Sequence, residues 1–98
     1  MPTYKFSEAA NSDLANIIDY TLTTWGADQA SVYIDNLEKL AQTLAEEPKL
    51  GKACGNLAEG LKVFPYQSHR LYYHQASYGI TVVRVLHENM DSEAQFAK

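Results

Sequence analysis

"LKVFPYQSHRLYYHQASYGITVVRVLH", residues 61–87, is the stretch that decides the fold. Before it, apolar residues recur at three- and four-residue spacing. From Leu61 the period becomes two, the repeat of strands whose side chains point alternately to either face. Turn residues divide the stretch into LKVFPYQ, SHRLYYHQ and GITVVRVLH, with ASYG (76–79) as a tight turn before the last. Pro65 makes the first piece an edge or bulged strand, because proline cannot donate to a ladder. Residues 61–87 therefore predict a three-stranded sheet.

Upstream, PKLGKACGNLAEG (48–60) holds three glycines and a proline with little periodicity, and reads as a loop. Before the loop lies a helical hairpin over 8–47. Ser7 is a good N-cap, and Glu8 sits well in a first helical turn. Ala10, Leu14, Ile17, Ile18, Leu22 and Trp25 make one helix face; Gly26 suits a C-cap. Ala30, Tyr33, Leu37, Leu40 and Leu44 make the face of a second helix, which Pro48 stops. TYKF, within residues 1–6, reads as a first strand with Tyr4 and Phe6 on one face. DSEAQFAK (91–98) reads as a short helix capped by Asp91, or a tail. The order is β-αα-βββ, an α+β domain spanning 1–98 with a helical hairpin packed on an antiparallel sheet.

Alternation sorts the strand residues. Leu61, Val63, Leu71, Tyr73, Val83 and Val85 are expected to meet the helices. The opposite face would then carry Lys62, Phe64, Tyr66, Arg70, Tyr72, His74, Val82, Arg84 and Leu86. That face mixes rings and aliphatics with cations, as interaction surfaces do. Lys62, Phe64, Arg70, Tyr72, Arg84 and Leu86 are its candidate partner-binding residues.

The 98 residues carry a net charge of −4, which argues against a nucleic-acid binder. The charge is unevenly spread. Residues 1–47 hold eight acids against Lys5 and Lys39, whereas 60–87 hold Lys62, Arg70 and Arg84 with no acid. The second half is thus suited to an acidic partner. No apolar run approaches the ~20 residues of a membrane span, and no signal-peptide pattern opens the chain, so a cytoplasmic location is expected. Cys54 has no partner for a disulfide or a metal site. His69 and His74 are five apart in a strand and point to opposite faces, which disfavours shared metal ligation. No metal, cofactor or strong catalytic motif is read. Ser68, His69, His87 and Asp91 are assigned to structure, with His87 closing the strand end by a hydrogen bond to Asp91 or Ser68.

Five stretches, AANSDLANI (9–17), WG (25–26), EEPKLGK (46–52), SH (68–69) and RVLHENMD (84–91), resemble the ParE toxins of the RelE/ParE superfamily. The resemblance implies a plasmid- or chromosome-borne toxin of a type II toxin–antitoxin system. It implies a non-catalytic inhibitor of DNA gyrase, neutralised by a ParD-like antitoxin that fills the groove near the helical hairpin, as a dimer or hetero-oligomer. SHRLYYH through RVLHENM also resembles the YoeB-like branch of ribosome-dependent mRNA endonucleases. By that likeness Arg70, Arg84 and His87 would be catalytic, but Glu88 stands at the tyrosine position, and GKACGNL (51–57) offers no matching glutamate. A third reading is a non-toxic family member that only binds an antitoxin.

Overall fold

The computed structural model describes residues 1–96. β1 (Thr3–Phe6) leads into α1 (Glu8–Trp25) and α2 (Ala27–Glu46), followed by one 3-10 turn at Pro48–Leu50. Then come β2 (Lys52–Ala53), β3 (Lys62–Tyr66), β4 (His69–Ala76), β5 (Gly79–His87) and a short α3 (Ser92–Phe96). Residues 97 and 98, part of the helix or tail expected over 91–98, lie outside the described residues.

The strand order is β1-β5-β4-β3-β2. Neighbours run antiparallel except β1, which lies parallel to β5 with Thr3 opposite Gly79 and Phe6 opposite Val82. The fold is thus α+β with the hairpin on one sheet face, and the sheet is mixed. Parallel neighbours need a long crossover, and here it includes the hairpin. The two-residue β2 arises inside the segment expected to be loop and edges β3 through Lys52–Val63 and Ala53–Lys62. Gly26 joins the helices at φ 97°, where a side chain would be strained, and its N–H closes α1 on Thr21 and Leu22.

Both sheet faces are covered. On the hairpin side Ala10, Tyr33, Leu37 and Leu44 pack on Leu71, Tyr73, Ile80, Val82 and Val85, with Phe64 and Tyr66 at the margin. On the other side Leu61, Tyr72 and Leu86 form a second cluster, roofed by Cys54 and Leu57 from the β2–β3 excursion and by Phe96 from α3. This corrects the expected faces at two places. β3 has the opposite phase: Phe64 and Tyr66 meet the helices, and Leu61 and Val63 face away. In β5 the ladder skips a residue, since Tyr72 pairs with Arg84 and Tyr73 with Val82. Val83 is the extra residue of a β-bulge, so Val82 and Val85 both face the helices and Val83 turns to the second cluster.

Tyr73, fully buried, ties the hairpin's exit to the sheet. Its hydroxyl donates to the Pro48 carbonyl at 2.8 Å and accepts the Gly51 N–H at 2.8 Å. A Cβ at residue 51 would run into that same ring and hydroxyl, which explains the glycine. Tyr73→Phe keeps the packing but leaves a buried N–H and a carbonyl without partners. It is expected to lower unfolding free energy by about 1–3 kcal/mol, read as a shifted urea midpoint with unchanged slope.

Candidate functional site

β1 ends at Phe6 opposite Val82, but β5 continues to His87. The edge of β5 beyond that point would expose unpaired backbone groups. The start of α1 satisfies them instead. Ser7 N–H donates to the Val82 carbonyl at 3.0 Å, and its hydroxyl donates to the Val83 carbonyl at 2.8 Å while capping α1 through Ala10 N–H. Further along α1, Asp13 Oδ2 accepts the Val85 N–H at 2.9 Å, taking the place of a missing strand. The same carboxylate grips Arg84 with two bonds, Nε at 2.8 Å and Nη2 at 2.9 Å. A guanidinium fork matched to a carboxylate is both charge-assisted and directional. Asp13 raises the Arg84 pKa further, chiefly through that hydrogen bond, so the pair is permanently charged on the arginine side.

Past Asp13, α1 runs beyond the strands. Trp25 and Tyr20, 69% and 66% exposed, therefore find no sheet beneath them, and Leu22 is exposed as well. This corrects the expectation that Leu22 and Trp25 belong to the core face. The overhang leaves a groove of about 660 Å³ between the hairpin and the β3–β4 turn. Ile17, Tyr20 and Trp25 line one side and His69, His87 and Met90 the other, with Tyr33 between.

Aromatic side chains stack in sequence along the groove. Tyr66 OH donates to the Tyr33 carbonyl at 2.9 Å, and the two rings meet edge-on at 5.0 Å. Tyr33 OH and His69 Nδ1 share a hydrogen bond of 3.2 Å, its direction set by the histidine tautomer. His69 meets His87 edge-on at 5.4 Å. Burial, and then the neighbouring His87, hold the His69 pKa below its ordinary value, while Glu88 pulls weakly the other way. Burial and then Tyr66 push the Tyr33 hydroxyl well above the tyrosine range, so it stays protonated.

The candidate residues read from sequence fall in different places. Tyr72 and Leu86, 2% and 1% exposed, belong to the second cluster and offer no open surface. Phe64 packs toward the helices, Lys62 has the register of Tyr73 on the hairpin side, and Arg84 is held by Asp13. Arg70 alone of the six is exposed. His87 Nδ1 accepts the Asn89 N–H at 3.1 Å, in place of the expected bond to Asp91 or Ser68. The Ser68 carbonyl receives Glu88 N–H, and Asp91 caps α3 through Glu93 N–H. Arg70, Arg84 and His87 do not converge. His87 lies in the groove on the hairpin side, Arg70 on the opposite face beside Tyr72, and Arg84 at the sheet edge. Sequence reasoning missed Asp13, although an acid between Ala10, Leu14 and Ile17 on the packing stripe was a signal.

Comparison with known proteins places this architecture. The family described as "ParE toxin of type II toxin-antitoxin system, parDE" matches residues 4–92. Toxin ParE1 of Mycobacterium tuberculosis is 39% identical over 89 residues, covering 90% of this chain and 91% of that protein. Toxin ParE1 of Caulobacter vibrioides is 32% identical, covering 96% and 97%. A solved structure titled "Chromosomal ParDE TA system from P. aeruginosa" superposes with a TM-score of 0.71 at 16% identity over 89% of this chain and 96% of that one, and so shares the fold. These matches define a toxin of the type II toxin–antitoxin class. The chain belongs to the ParE toxin family.

Two outcomes follow from the geometry. Asp13→Ala removes the acceptor for Val85 N–H and leaves Arg84 without its counter-charge. A loss of about 2–3 kcal/mol is expected in urea unfolding, below that of a fully buried pair because both side chains are partly solvated. Asp13→Asn, which still accepts the Val85 N–H, is expected to lose about half as much. For His69, a folded pKa below the unfolded value of 6.5 means that the unfolded chain binds more protons in the interval between them. The stabilisation from neutral His69 is complete above that value and is lost as pH falls below it. The urea midpoint should drop between pH 7.5 and 5.5, and less steeply in His69→Asn.

Proposed function

We propose that this ParE-family toxin acts by binding a protein target, DNA gyrase, and that a ParD-like antitoxin neutralises it by occupying the groove between the hairpin and the sheet. The observation that carries the reading is the division of the molecule's surface. The groove is apolar, aromatic and open, whereas the cations that an RNA-cutting site would gather stand apart on separate faces. Open apolar grooves are what amphipathic helices occupy in recognition by a folded partner. General acid–base cleavage of RNA instead needs groups within hydrogen-bond reach of one reacting phosphate, and Arg70, Arg84 and His87 do not supply them.

Net charge supports the same choice. A chain at −4 gains little from counterion release on a polyanion. Among the described residues no helix is long and apolar enough to cross a membrane, and no group of three His, Cys, Asp or Glu side chains is placed to hold a metal. The proposed site of action is the cytoplasm, where gyrase works.

The experiment is a supercoiling assay with purified gyrase, run beside ribosome-dependent mRNA cleavage. The expected result is blocked supercoiling or trapped DNA cleavage with intact mRNA. A Trp25→Glu variant should inhibit gyrase as the parent does while losing at least ten-fold in antitoxin affinity, since the charge would stand inside the groove. Cut mRNA with normal supercoiling would replace this reading with the endonuclease one.

A further inference from the structure

A second concave surface lies on the far face of the sheet. The β2–β3 excursion and α3 each roof part of that face and leave a cleft of about 660 Å³ between them. Its apolar ground is the partly exposed Val63, set over the buried Tyr72 of the second cluster, with Leu57 overhanging from the excursion. Two exposed cations, Lys52 and Arg70, also line it. Their placement follows from the register. Lys52 stands opposite Val63, which stands opposite Tyr72, and Arg70 is two residues from Tyr72 on β4, so all four share one face. Among the described residues neither cation has a carboxylate within salt-bridge distance; the single ion pair found is Arg84–Asp13.

The other wall is α3, where Tyr72 OH and Ser92 Oγ share a hydrogen bond of 2.5 Å and Phe96 lies against the Tyr72 ring at 5.1 Å. That wall bears Asp91, already engaged as a cap, and Glu93. The cleft is therefore bipolar, with cations on β2 and β4, carboxylates at the start of α3, and apolar ground between.

We propose that this cleft is the toxin's target-contact surface, and that it takes a short protein segment with a carboxylate at one end, a large apolar side chain in the middle and a cation at the other. The proposal rests on the reading that the toxin acts by binding a protein. The carboxylate meets Lys52 and Arg70, the apolar side chain lies between Leu57 and Val63, and the cation meets Glu93. A nucleic acid fits this arrangement poorly. Its uniform row of phosphates would meet only two cations and would be repelled along the α3 wall. The antitoxin groove lies on the opposite sheet face, so the two surfaces are separable by mutation.

The test uses the purified toxin and a fluorescein-labelled peptide in which two glutamates, one phenylalanine and two lysines follow one another, read by polarisation. An all-lysine analogue and a short oligouridine serve as controls. The expected result is saturable binding of the bipolar peptide, weakened at least ten-fold by the double change Lys52→Glu and Arg70→Glu and little changed by Arg70→Lys. Thermal melting checks that the variants stay folded. Absence of binding, binding unaffected by the double charge reversal, or equal binding of oligouridine or the all-lysine peptide would each overturn the proposal. The same proteins go into the supercoiling assay. If the parent inhibits gyrase and the double variant inhibits equally, the cleft assignment fails while the gyrase reading stands. If the parent leaves gyrase untouched, the gyrase reading fails and the peptide result alone decides the cleft.

Discussion

One carboxylate closes the open edge of this toxin's sheet. β1 covers only the first part of β5, and the remaining edge would present open backbone groups to water or to a neighbouring chain. Asp13 closes that edge from the side of a helix, accepting the Val85 N–H and holding the Arg84 guanidinium in the same grip. The bulge at Val83 belongs to the same arrangement. Bulges sharpen local twist and re-aim side chains at sheet edges, and here Arg84 leaves the regular alternation to meet α1. Ser7 contributes from the N-cap of the same helix, so the start of α1 serves as a substitute strand.

Much of the hairpin was legible because helix periodicity is redundant. Ala30, Tyr33, Leu37 and Leu44 repeat the same message four times, and Gly26 and Pro48 mark its limits. The strands carry less redundancy. In LKVFPYQ both alternating sets are apolar, so a period of two announces a strand without saying which face is inward. The larger rings, Phe64 and Tyr66, took the helix side. Nothing in the run Val82-Val83-Arg84-Val85 distinguishes a bulged valine from its neighbours. Trp25 and Leu22 satisfy the helical period yet lie exposed, because periodicity describes a helix face and not how far the sheet extends beneath it.

The candidate site was legible in its chemistry more than in its placement. The acid-free segment does hold the exposed Arg70, but it also holds Arg84, which is satisfied internally by an acid from the N-terminal half. Charge counts along a chain cannot tell a cation kept for a partner from one already paired across the fold. The second cluster was invisible for a related reason. Its roof comes from Leu57 in an irregular segment and from Phe96 near the end of the described chain, neither of which has a periodic signature. A two-sided sheet gives a ParE-family toxin two separately shaped surfaces where a one-sided sheet would have one.

The parallel pairing of β1 with β5 also governs the order in which the molecule is assembled during synthesis. Thr3–Phe6 is made first, yet its hydrogen-bonding partners are Gly79–Val82. The nascent chain can form α1 and α2 locally while β1 waits, since distant pairings carry a loop-closure cost that local helices avoid. Asp13 waits as well, because Arg84 emerges later still. Neither the groove wall formed by His87 nor the sheet edge exists until the ribosome has delivered this late strand. Until β5 is delivered the chain can hold the helical hairpin and the local β3–β4 pairing, but not the closed sheet edge or the groove wall.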